Sequence, residues 1–174
     1  LPICTLNGIQ TNIKNCEDDH EKHRSWLSFN TSEDHNNCLE QIDSLYERCC
    51  DLVLEHKHEI NRYFDLRHTE KLKNSYMFHN PIKSEFDRRT GNIKGNGKKW
   101  MNIKLKLDDR YFDKTKLLYQ DTDDINEFTG CPNLKPAEWK SIERCKLKVI
   151  PIIKFERINI NCQKMYLMCI LHSA

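Results

Sequence analysis

Nine cysteines, eight histidines and clustered lysines are the side chains here with chemistry to offer. The cysteines are Cys4, Cys16, Cys38, Cys49, Cys50, Cys131, Cys145, Cys162 and Cys169. A thiolate metal site gathers CxxC-type clusters or closely spaced Cys and His around one ion. The tightest spacings here, Cys49-Cys50 and the gap from Cys162 to Cys169, are not of that kind. Disulfides in an oxidising compartment are the expected use of the cysteines, stapling the fold. The odd count leaves one thiol free, buried, or bridging two chains into a dimer. Adjacent residues on a helix project about 100° apart, so Cys49 and Cys50 address different partners.

The histidines form no motif. His56 and His58 diverge by about 200° on a helix and cannot share an ion. His20 and His23 share a face only if their segment is helical. HExxH and GxSxG are absent, and 121–124 has no EF-hand register. Cys49-Cys50-Asp51 resembles part of the helical element of secreted phospholipases, but Val53 and Leu54 stand where that family needs His and Asp. The glycine segment 91–99 lacks the Ser or Thr that a phosphate-binding loop places after its lysine. No cofactor and no metal are expected. A catalytic site, if present, would be assembled from dispersed groups, with His68, His79 and Asp87 first among them.

Charge is more informative. Residues 81–106 hold Lys83, Arg88, Arg89, Lys94, Lys98, Lys99, Lys104 and Lys106 against Glu85 and Asp87, a local +6. The whole chain of 174 residues is only +2, which disfavours a dedicated duplex-DNA binder. Period-two alternation puts Lys104 with Lys106 on one strand face and Lys146 with Lys148 on another. If those strands are neighbours, they form a cationic plate. Lysines also keep exposed strands soluble, and no stacking aromatic series is evident beside them. The binding face is expected to combine Lys98, Lys99, Trp100, Lys104, Lys106 and Tyr111.

The elements that must position these groups follow from periodicity. Residues 1–36 are polar and acidic and read as an extended arm. From 37 to 68, apolar residues including Leu39, Ile42, Tyr46, Cys49 and Val53 recur three or four apart, predicting one long amphipathic helix. Residues 79–99 read as a glycine-containing loop. Alternation from Met101 to Leu107, and again in the last thirty or so residues, predicts strands over 99–171. The expected fold is therefore a single α+β domain, with a long N-terminal helix packed on a mainly antiparallel, disulfide-stapled sheet from the C-terminal half.

The chain opens on Leu1-Pro2 without methionine, as a mature form with its signal peptide removed would. Asn30-Thr31-Ser32 is a glycosylation sequon. The longest apolar stretches, 149–153 and 166–171, are far short of a membrane span. These features describe a secreted, extracellular, disulfide-rich glycoprotein of the effector, ligand or immune-modulator type. It is expected to bind a macromolecule without catalysis, an extracellular protein first and an anionic polysaccharide second. The alternatives are a small secreted hydrolase, nuclease or lipase-like, and a carrier of lipid or another small ligand.

Overall fold

A computed structural model describes residues 1–13, 21–60, 78–87, 89–94, 97–108, 111–127, 129, 131–161 and 164–174. Among the described residues, sheet predominates over helix. The principal sheet has nine strands: β1 (Cys4–Asn7), β2 (Gln10–Ile13), β3 (Glu21–Phe29), β4 (Phe78–His79), β5 (Ile82–Ser84), β6 (Lys99–Leu105), β9 (Lys146–Val149), β10 (Ile152–Asn161) and β11 (Lys164–Ser173). Its central path runs β10-β11-β6-β3-β1-β9, with β2 beside β3, β4 beside β11 and β5 beside β6. β11 is parallel to β6 and β4, while the other pairings are antiparallel. A separate hairpin joins β7 (Leu118–Ile125) to β8 (Pro132–Pro136).

One face of the sheet is covered by α1 (Glu33–Glu55), the only long helix among the described residues. Its buried positions, His35, Leu39, Ile42, Tyr46, Cys49, Cys50 and Val53, follow the helical period, and Glu33 and Asp34 favour its N-terminal dipole. They meet the residues that alternate inward on the strands. Leu39, Ile42 and Cys49 pack with Leu6, Leu27, Met101, Ile103, Leu105, Leu167 and Leu171. Tyr46, Cys50 and Val53 pack with Met165. A short α2 (Lys57–Ile60) follows, and α3 (Trp139–Ile142) brings Trp139 to 4.6 Å from the His23 ring.

These findings correct the expected fold in three respects. The sheet does not come from the C-terminal half alone, because β1, β2 and β3 arise within 1–36 and β3 is central. Nor is it mainly a simple antiparallel sheet with a helix before it; it is mixed through β11. Finally, no disulfide staples it among the described residues: Cys4, Cys38, Cys49, Cys50, Cys131, Cys145 and Cys169 are all free thiols. Packing does that work instead, since Cys4, Cys49 and Cys169 sit in the core as small apolar side chains. Cys16, Cys162 and His68 lie outside the described residues, as does the expected helix from 61 to 68.

Candidate functional site

The face turned away from α1 is built by strand register. Side chains at paired positions point to the same face, and successive residues alternate. Since Leu27 and Met101 point into the core, Trp26, Ser28, Trp100 and Asn102 point outward. One row crosses five strands as Lys83, Trp100, Ser28, Thr5 and Lys148. In the next, Asn102 pairs with Trp26 and Asn7 with Lys146, while the Asn7 amide donates to the Trp26 carbonyl at 3.2 Å. A third row aligns Lys104, Arg24 and Gln10.

The rows are rich in cations. Arg24, Lys83, Lys104, Lys146 and Lys148 share the face, and among the described residues none of them is in an ion pair. Lys148 donates to Thr5 Oγ1 at 3.1 Å, and the Lys104 ammonium lies 5.3 Å from the centre of the Tyr111 ring. Trp26 and Trp100 sit diagonally across β3 and β6, each partly exposed.

A window opens in the sheet beside this face. β6 and β11 are paired at Ile170 and Lys104; away from that point they diverge. β4 stays with β11 and β5 with β6, and the 80–81 bend closes the far end. Asn80 fixes the bend by donating to Asp43 Oδ1 of α1 at 2.8 Å and accepting from the Ile82 amide at 2.7 Å. The resulting cavity measures about 480 Å³, within the range of small-ligand sites. Arg24, Lys83, Lys104, Asn102, His79 and Tyr166 supply its polar walls, and among the described residues no carboxylate lines it.

The expected binding residues divide. Trp100 and Lys104 belong to the outward face, with Tyr111 against Lys104. Lys98 is exposed just before β6, whereas Lys99 pairs with Phe29, whose side chain is buried on the α1 side. Lys106 lies beyond the end of β6, 6% exposed, with its ammonium 2.7 Å from Glu156 Oε1 and 2.9 Å from Asp113 Oδ1. Burial works to lower its pKa, but hydrogen bonds to Glu156 and then Asp113 outweigh this and raise it. Those two acids neutralise it, so Lys106 adds nothing to this face, and the strands of Lys104 and of Lys146 with Lys148 are not neighbours, since β3 and β1 lie between them. Arg24, Asn102 and Tyr166 are the site residues the sequence reading missed, while Lys83 was read only as part of the basic segment.

The residues first considered for catalysis do not converge. His79 lines the window, but Asp87 does not. Asp87 instead caps its own hairpin, accepting from the Arg89 amide at 2.7 Å. His23 and His35 are buried and serve the fold: His23 contacts Thr11 Oγ1 at 3.1 Å, and His35 reaches the Ile3 carbonyl at 3.1 Å and Asn30 Oδ1. Asn30 itself is exposed at the entrance to α1.

Burial keeps the core thiols protonated. Burial, then the neighbouring Cys38, raises Cys4 to about 11, and burial raises Cys50 to about 11 and Cys169 to about 12. A nucleophilic cysteine needs the opposite shift. Among the described residues, no three His, Cys, Asp or Glu side chains are placed to hold a metal ion.

No helix among the described residues is long and apolar enough to cross a membrane. Compared with protein-family models, with curated proteins and with solved structures, the chain matches none.

Proposed function

We propose that this protein is a non-catalytic binding protein whose outward sheet face docks an anionic polysaccharide outside the cell. One observation carries the reading: five cations from four strands, Arg24, Lys83, Lys104, Lys146 and Lys148, share a face on which none is neutralised by a described carboxylate. Elsewhere the protein does pair its buried or clustered cations, as at Lys106 and Lys135. A face that leaves them open concentrates positive potential and draws a polyanion.

Trp26 and Trp100 give flat apolar surface among the charges, suited to the CH-rich face of a sugar ring. A lipid carrier would need an apolar cavity, whereas three cations wall this one. A hydrolase would need an acid near His79, and no described carboxylate lines the window.

Immobilised heparin, a densely sulfated polysaccharide, is the probe. The protein should bind it at low ionic strength and be released as salt screens the charges. The combined variant Arg24→Glu, Lys104→Glu, Lys148→Glu should lose at least tenfold in affinity while keeping its circular dichroism. Unchanged affinity in that variant, or tighter binding to a single-stranded oligonucleotide than to heparin, overturns the reading.

A further inference from the structure

We infer that the window between β6 and β11 receives one sulfated sugar unit of that polysaccharide, so that the protein reads sulfation and not charge density alone. This rests on the proposed function and deepens it.

The shape of the window supports a defined ligand. Its volume of about 480 Å³ exceeds what a lone inorganic anion fills. Two of its walls are strand edges. β6 is paired on this side at 99–101 with β5 and at 104 with β11, so no ladder partner is described for the edge at 102–103. β11 is paired on this side at 165–166 and 170, which leaves the edge at 167–169 in the same condition. Backbone donors and acceptors turned into a cavity are groups that a polar ligand satisfies.

The side chains define the ligand's chemistry. Arg24, Lys83 and Lys104 approach from three different strands, which suits an ester-bearing unit with more than one negative charge. The guanidinium of Arg24 offers a planar fork for two sulfate oxygens. Asn102, exposed on the outward face, can both donate to and accept from hydroxyls. Pro81, Met168 and Tyr166 supply apolar surface for the ring.

A nucleotide fits less well. A base would have only Tyr166 to stack on, since the two tryptophans of this surface lie outside the window. The sugar-plus-sulfate chemistry uses every wall without them.

The test is titration calorimetry of the full chain with a fully sulfated heparin disaccharide, alongside intact heparin. The wild-type protein should bind both. Asn102→Trp, which fills the window from an exposed position, should lose at least tenfold for the disaccharide and proportionally less for the polymer, which Lys146 and Lys148 also hold. Lys146→Gln with Lys148→Gln, remote from the window, should do the reverse. Disaccharide binding that survives Asn102→Trp, or a wild-type protein that binds polymer but not disaccharide, overturns the window assignment and leaves the docking face standing. Failure to bind either overturns both. Tighter binding of adenosine 3′,5′-bisphosphate than of the disaccharide replaces the sugar with a nucleotide and also overturns the inference.

Discussion

Arg24 on β3 and Lys104 on β6 stand directly opposite each other across an antiparallel ladder, on a face where no described carboxylate lies between them. Like charges in opposed cross-strand positions cost up to about 1 kcal/mol. Tyr111 relieves part of this by placing its ring 5.3 Å from the Lys104 ammonium. A protein selected for stability alone would have an acid in one of the two positions.

The opposed pair therefore separates stability from binding. Arg24→Thr should leave the urea midpoint unchanged or raise stability by about 0.5 kcal/mol, because it removes a repulsion and places a β-branched residue in a strand. The same variant should bind heparin severalfold more weakly. A stability loss above about 1 kcal/mol would mean that Arg24 serves the fold.

The cluster around Lys106 has the opposite role and a defined pH signature. Hydrogen bonds from Lys106 hold both Asp113 and Glu156 below the ordinary carboxylate range. A depressed carboxylate stabilises the fold above its unfolded value and loses that contribution as pH falls through its folded value. Their support thus fades on acidification below about pH 4. The raised Lys106 acts at the other end: its contribution is present below 10.5 and is lost only as pH rises through the higher folded value. Lys106→Met should cost about 1–2 kcal/mol at neutral pH, less than a fully buried pair because Asp113 and Glu156 remain partly solvated. It should also flatten the loss of stability between pH 5 and 2. Denaturant melts across that range check both outcomes.

Thiol labelling of the native protein should be selective. Cys131 and Cys145 are exposed and should react with iodoacetamide within minutes at pH 8. Cys4, Cys50 and Cys169 combine burial with raised pKa values and should label only after unfolding. Peptide mapping by mass spectrometry reads each position. Rapid labelling of Cys169 in folded protein would contradict its place in the core.

Gly8 joins β1 to β2 with φ +61°, a conformation that side chains disfavour. Its amide donates to the Cys145 carbonyl at 2.9 Å, and an added Cβ would stand 3.0 Å from the Glu143 carbonyl oxygen. Gly8→Ala should therefore destabilise by about 1–2 kcal/mol. An unaltered thermal midpoint would show that the kink relaxes freely.

The helix and β6 were legible because their buried positions are apolar and keep strict periods. β3 was hidden by chemistry. Its core-facing positions are His23, Ser25, Leu27 and Phe29, and the first two look like loop residues until Thr11 and the Gly8 carbonyl are seen to satisfy them. Arg24 was lost with it. Lys83 was counted in the basic segment but read as part of a loop, because β5 has only three residues within a glycine-containing stretch. Alternation misassigned Lys106, since the strand ends at Leu105 and the acids that hold it are distant in sequence. Lys99 was misassigned because its neighbours alone do not give its side of the sheet. Counting cysteines gives no distances between them, and it overstated their role.

The order in which the window's walls leave the ribosome adds a constraint on biogenesis. β3, β5 and β6 are synthesised well before β11, yet β11 sits inside the sheet between β6 and β10. Until it arrives, the far edge of β6 lacks its parallel neighbour, and the nascent chain presents an open hydrogen-bonding edge beside apolar surface. Such non-local parallel pairing is slow and invites association with other chains. The lysines proposed to draw a polyanion would also repel a second nascent copy during that interval, so the same charges would guard assembly before any recognition.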